Sequence, residues 1–250
     1  MILFLSPPFG NYLRFPKTIS VQGSFTLLPR EGKWSQIIKT LRYSFVYGGW
    51  INQIGLRNPG IKAAIQQTQS SHDSIISIAI LQPNDISQMN DIIPTDQNLE
   101  INISCPNTKE ALISEQVSQF LHPSRKWCIV KLSPMDSLST IDLLYQQGFR
   151  QFHCCNTYPT NQITNPPTKY PGGLSGPYVK PHSIRLIQQI KAKYPDTIVI
   201  GGGGIRTIQD IEDYQQAGAD HVAVSSLCFS PFQFLWLYGS FYYQNYLKRI

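Results

Sequence analysis

The 250-residue chain is 42% apolar and 12% aromatic, enough for a substantial core, and only 14% charged, so Asn, Gln, Ser and Thr must supply much of its polar surface. No low-complexity linker or charge block divides it, and no run of 18 apolar residues offers a membrane span. Its formal charge of +6 favours anionic ligands, but the Lys and Arg residues are scattered and not interleaved with an RNA-stacking motif, which argues against nucleic-acid binding.

Met1-Ile2-Leu3-Phe4-Leu5 is apolar, yet too short for a signal-peptide core and without a basic start. Five cysteines, at 105, 128, 154, 155 and 228, form no CxxC pair, and no His spacing suggests zinc. No metal site is therefore expected, and the odd count points to a reducing, cytoplasmic setting.

Short β-branched runs recur at residues 2–6, 24–28, 75–80, 99–104, 128–132, 151–155, 198–201 and 221–225. Several are continuously apolar, as expected when a parallel sheet is buried on both faces. Amphipathic stretches such as 184–194 and 208–217 lie between them. Eight strands alternating with helices predict an α/β fold, a (β/α)8 TIM barrel forming a single domain over residues 1–250. A doubly wound open sheet is the alternative. Two long gaps hold Ile51-Asn52-Gln53-Ile54-Gly55-Leu56-Arg57-Asn58-Pro59-Gly60 and Gly172-Gly173-Leu174-Ser175-Gly176-Pro177, rich in turn formers and read as loops that carry more than a connection.

In a barrel the loops after the strands share one rim. The fourth run ends in Asn102-Ile103-Ser104-Cys105-Pro106-Asn107, a thiol between two carboxamides. Carboxamides can hold a polar ring by its imide edge, and an ionised thiol can exchange a proton; the plainer reading is an Asn-Pro turn with an inert cysteine. Lys131 ends the fifth run among apolar neighbours, either meeting an anion or snorkelling to water. Asn156-Thr157 ends the sixth. Gly201-Gly202-Gly203-Gly204 ends the seventh just before a helix with Thr207 as a plausible N-cap, and Ser225-Ser226 ends the eighth. Bare amides at a helix start suit a phosphate, and this fold often binds one between its seventh and eighth strands.

The order and spacing of these motifs, from about Ile51 to Leu227, resemble those of the dihydroorotate dehydrogenases, FMN-dependent barrels that oxidise dihydroorotate to orotate in pyrimidine (UMP) biosynthesis. The resemblance implies that Cys105 is the general base that removes the C5 proton while C6 delivers hydride to FMN, and a cysteine there is similar to the soluble class. It implies that Asn52, Asn102, Asn107, Asn156 and Thr157 hold the pyrimidine and its carboxylate, with Gly55 and Leu56 of the loop after Asn52 also binding substrate. Lys131 resembles the lysine at the flavin's pyrimidine edge, and Gly176, Gly203, Gly204, Ser225 and Ser226 resemble the ribityl-phosphate cradle. Soluble members are commonly homodimers.

The chain departs from that pattern in two places. Only Thr108-Lys109-Glu110 separates the cysteine motif from an apparent helix at 111–120, where the family has a longer closing loop. The family lysine near the end of the second strand is missing, with Arg30 as the nearby cation. These departures keep two other functions open: a degenerate FMN- or pyrimidine-binding barrel without turnover, or a related FMN-dependent pyrimidine reductase. Fumarate, quinone, or NAD through a partner subunit are all compatible as final acceptors, since the chain has no iron–sulfur pattern or dinucleotide fingerprint of its own. The aromatic tail 229–246 is expected to pack as the last barrel helix, with membrane contact the less favoured reading.

Overall fold

The computed structural model describes residues 1–68, 74–103 and 116–247. Eight parallel strands close into a barrel: β1 (Leu3–Leu5), β2 (Thr18–Phe25), β5 (Ile75–Ala79), β6 (Leu99–Asn102), β7 (Cys128–Leu132), β8 (Gln151–Cys154), β11 (Ile198–Gly202) and β12 (His221–Val224). β1 pairs in parallel with both β2 and β12, which closes the sheet and removes the open-sheet alternative. Seven of the expected runs fall within a residue or two of these strands. The second does not: β2 begins six residues earlier, at Thr18, and ends at Phe25. The strand passes through Gln22-Gly23-Ser24 by a register shift between Gln22 and Phe25.

Strand alternation sorts the apolar residues into two layers. Leu3, Leu5, Ile76, Ile78, Val130, Val199, Val222 and Val224 face outward into the main core beneath the helices. Their neighbours Phe4, Val21, Ile75, Ile129, Ile200 and Ala223 join Trp127 in a separate cluster that plugs the barrel interior. Phe4 packs edge-on against Trp127 with ring centroids 5.4 Å apart. Above this plug the inward residues turn polar.

The two long gaps also pair with each other. β3 (Arg42–Ser44), β4 (Gly49–Asn52), β10 (Gly173–Ser175) and β9 (Tyr158–Pro159) form an antiparallel four-stranded sheet in the order β3-β4-β10-β9. Expected as loops, these segments are a second sheet whose central pair joins residues more than 100 positions apart, Asn52 facing Gly173. Of the helix expected at 111–120, residues 111–115 lie outside the described residues, and Val117–Phe120 is a 3-10 turn. The helices expected at 184–194 and 208–217 span Lys180–Lys193 and Ile208–Gln216.

The aromatic tail forms the helix Pro231–Leu247. Phe234, Leu237 and Phe241 are buried. Phe15 meets Phe234, and the Tyr238 and Tyr242 hydroxyls donate to the carbonyls of Pro16 and Lys17. The tail thus packs on the barrel, as the favoured reading expects, while Phe232 and Trp236 remain exposed on its outer flank. Among the described residues no helix is long and apolar enough to cross a membrane.

Candidate active site

A cavity of about 300 Å³ opens where the barrel strands end. Of the residues singled out in sequence, Asn52, Lys131, Asn156, Thr157, Gly176, Gly203, Gly204, Ser225 and Ser226 all line it. Asn102, Gly55 and Leu56 line the open cleft that continues from it past Asn52, Lys131 and Asn156. Cys105 and Asn107 lie outside the described residues.

The carboxamides are fixed rather than free to rotate. Asn102 ends β6 and Asn156 follows β8, and the Asn156 side chain donates to Asn102 Oδ1 at 3.2 Å. Asn102 donates in turn to Ser24 Oγ at 3.4 Å, while Thr157 N–H donates to Asn156 Oδ1 at 2.9 Å. The Asn156 N–H extends the ladder to Leu132 O at 2.8 Å. Asn52 reaches the same cavity from β4. Thr157 packs directly over Gly173, where a Cβ would come within 2.1 Å of its hydroxyl.

Opposite lies the glycine wall. The Tyr214 hydroxyl, buried, stands 2.8 and 2.7 Å from the carbonyl oxygens of Gly202 and Gly203 and pins the run from behind. Thr207 caps the following helix, as expected, in a reciprocal capping box with Asp210. The N–H groups of Arg206 and Thr207 both donate to Asp210 Oδ2, at 2.9 and 2.8 Å. Gly176, Gly203 and Gly204, with Ser225 and Ser226, line the cavity beside this helix start. Gly204 has φ +76, and a Cβ there would stand 2.7 Å from Pro177 Cα and 2.8 Å from Gly176 O. Gly204→Ala must strain backbone on both sides, at about 1–3 kcal/mol, and is expected to weaken ligand binding at this wall about tenfold or more. Titrating each protein with added FMN by fluorescence checks this; unchanged affinity would remove the wall from the site.

Beneath the carboxamides sits a buried charged unit, of which sequence reasoning singled out Lys131 but not Glu100 or His153. Glu100 is fully buried, Lys131 is 8% exposed and His153 is 3% exposed. Glu100 Oε2 lies 2.6 Å from His153 Nδ1; Oε1 accepts from the Ser77 hydroxyl at 2.9 Å and faces Lys131 Nζ at 3.5 Å. Ser77 Oγ bonds Ser24 Oγ at 2.8 Å, joining this unit to Asn102 and Asn156. Burial alone would raise the Glu100 carboxyl, but Lys131, His153 and Ser77 hold it at about 2. Burial, then the charge of Lys131, lowers the His153 imidazole, so it is neutral near pH 7.

The cation expected from Arg30 is differently placed. Arg30 lines only the open cleft, whereas Lys33 lines both cleft and cavity and donates to Tyr12 OH at 3.1 Å. Arg30 is thus not the sole nearby cation, because the helix Lys33–Thr40 brings Lys33 to the mouth. Ser6 also lines the cavity, and its buried hydroxyl has no hydrogen-bond partner among the described residues.

The sequence profile described as dihydroorotate dehydrogenase matches residues 17–234. The dihydroorotate dehydrogenase B (NAD(+)) catalytic subunit of Petrotoga mobilis is 35% identical over 228 residues, covering 82% of this chain and 74% of its own. The protein of the same name from Thermotoga maritima is 28% identical over 253 residues and covers 91% of both chains. Among solved structures, the crystal structure of DHODH in complex with ferulenol from Eimeria tenella superposes with a TM-score of 0.69 at 16% identity, over 91% of this chain and 76% of that one, a likeness of fold.

Proposed function

This chain belongs to the dihydroorotate dehydrogenase family, and from that premise we propose that it oxidises dihydroorotate to orotate, with FMN as its flavin, in pyrimidine biosynthesis. The observation that carries the reading is the meeting of Asn52, Asn156, Lys131 and the Gly176–Gly203–Gly204 wall around one cavity, although they come from five separate parts of the chain.

The family is flavin-dependent, and the residues present fit FMN. A Cβ at Gly203 would meet Val179 at 2.8 Å and one at Gly204 would meet Pro177, so this wall tolerates no side chain and brings bare backbone to the ligand. The orphaned Ser6 hydroxyl and the Lys131 ammonium supply polar groups to the same space. Gly176, Gly203, Gly204, Ser225 and Ser226 would hold the phosphate, and Lys131 the polar edge of the ring. When bound, FMN supplies the hydride acceptor.

The chain's own residues do the rest. Asn52, Asn102, Asn107, Asn156 and Thr157 hold the substrate ring, and the Asn102–Asn156–Ser24 bonds fix donor and acceptor directions before it arrives. Cys105, as the general base, takes the proton from C5. Lys131 places positive charge where negative charge grows, and the buried Glu100 makes that charge tolerable inside the barrel. The relatives' names give NAD(+) and a catalytic subunit, so a partner subunit is the expected route for the electrons.

Anaerobic mixing of the purified, FMN-loaded protein with dihydroorotate tests this. The yellow absorbance should bleach and orotate should accumulate. A protein that binds FMN but keeps its absorbance would be a binding barrel without turnover, and one that binds no FMN would end the reading.

A further inference from the structure

Glu100 has more partners than an ion pair with Lys131 requires. His153 Nδ1 lies 2.6 Å from one of its oxygens and the Ser77 hydroxyl 2.9 Å from the other, while the Lys131 ammonium stands off at 3.5 Å. A close charge-assisted bond would measure about 2.7–2.9 Å, so the lysine is the loosest of the three partners. The strand order explains how three groups meet. Lys131 and His153 are register partners on adjacent strands β7 and β8, and Glu100 reaches from β6 beneath both.

The chemistry of the contact fixes the imidazole. An ionised carboxylate only accepts, so His153 must carry its proton on Nδ1 and leave Nε2 as a bare acceptor. On the Nε2 side the neighbour is Gly202, whose missing side chain leaves that nitrogen room; a Cβ there would approach it to 3.2 Å. His153 is part of the cavity wall, as is Lys131. The charged groups facing the ring inside the barrel are Glu100 and Lys131, and Cys155, two residues on and just past the end of β8, lines the same cavity.

We propose that His153 is a positioning residue: by occupying Glu100 Oε2 through a proton fixed on Nδ1, it keeps the Lys131 ammonium facing the cavity instead of closing onto the carboxylate. Its effect on flavin chemistry rests on the FMN reading above, whereas the tautomer does not. Without the imidazole, Oε2 loses its donor and draws the lysine down into a tight pair, out of reach of a ligand.

Two measurements test this. Nitrogen-15 NMR of the imidazoles in flavin-free protein should find His153 as the single Nδ1–H tautomer, unchanged between about pH 6 and 8, where an ordinary histidine with a pKa of about 6.5 would titrate. In the FMN-loaded protein, sulfite addition to the flavin reports positive charge beside the ring. His153→Leu should weaken sulfite binding at least tenfold while FMN affinity changes less than threefold. His153→Asn, whose amide nitrogen can stand where Nδ1 was, should restore most of it. An imidazole that titrates normally or carries its proton on Nε2, or a His153→Leu protein with sulfite affinity within twofold of the parent, would overturn the proposal. Failure of the parent protein to take up FMN would sink the flavin reading alone, and the tautomer would then decide the role of His153.

Discussion

Cys105→Ala is expected to retain FMN and to lose dihydroorotate turnover by about a hundredfold or more, the scale of a missing general base. The other cysteines make this a discriminating experiment. Cys155 lines the cavity and is the rival thiol, but burial pushes it up to about 12, against smaller opposing effects of Ser183 and Lys131. Burial likewise raises Cys128 and Cys228 to about 12 and Cys154 well above the usual thiol range. None of these four ionises near neutral pH. A base at pH 7 needs a thiol nearer its reference value of about 8.5, which leaves a few per cent as thiolate to be drawn on. Cys155→Ala should accordingly turn over dihydroorotate at close to the parental rate. Stopped-flow flavin reduction for both variants decides the assignment: near-parental reduction in Cys105→Ala, or a large loss confined to Cys155→Ala, would transfer the role or remove it.

How much of this was legible beforehand depends on the range of the interaction. The eight barrel strands announce themselves because burial on both faces leaves β-branched runs that need no partner to be seen, and Cys128–Leu132 is read to the residue. β2 hides its start, because Gln22-Gly23-Ser24 carries turn chemistry inside a strand that bulges there. The β3-β4-β10-β9 sheet is invisible locally: its strands are two to four residues long, and its central pair joins distant segments, such as Leu174 against Ile51. The cavity wall is legible as glycines at strand ends and Thr207 as an N-cap, yet the reciprocal bonds of Asp210 depend on where its side chain folds back.

Glu100 shows the limit most clearly. Leu99-Glu100-Ile101 shows the alternation of a strand but not which side faces the barrel interior. Leu99 and Ile101 face the helices, and the charge points into the barrel. A usable signal exists in retrospect. Lys131 and His153 are register partners on the next two strands and Glu100 shares their inward parity one step below, so three inward titratable residues on adjacent strands foretell a buried polar layer.

That layer carries the second large expectation. Glu100→Gln should destabilise the fold by about 3–5 kcal/mol, because it leaves the Lys131 charge buried without its counter-charge. The proton linkage gives a similar size. The Glu100 carboxyl falls from 4.5 to about 2 on folding, since Lys131, His153 and Ser77 outweigh the opposing effect of burial, and that corresponds to roughly 3 kcal/mol. A depressed carboxyl stabilises the native state fully above its unfolded value. This contribution is therefore complete above about pH 5 and is lost as pH falls from there toward 2. Urea midpoints measured at pH 7 and pH 4 check both statements: the parent should lose stability on acidification, while Glu100→Gln starts lower and loses less. Adding Lys131→Met to Glu100→Gln removes the stranded charge and should recover part of the loss, since replacing a whole buried pair costs far less than breaking it. A single variant within about 1 kcal/mol of the parent, or a double variant no better than the single, would mean that Glu100 and Lys131 are not a coupled pair, and the cation beside the cavity would need another source of compensation.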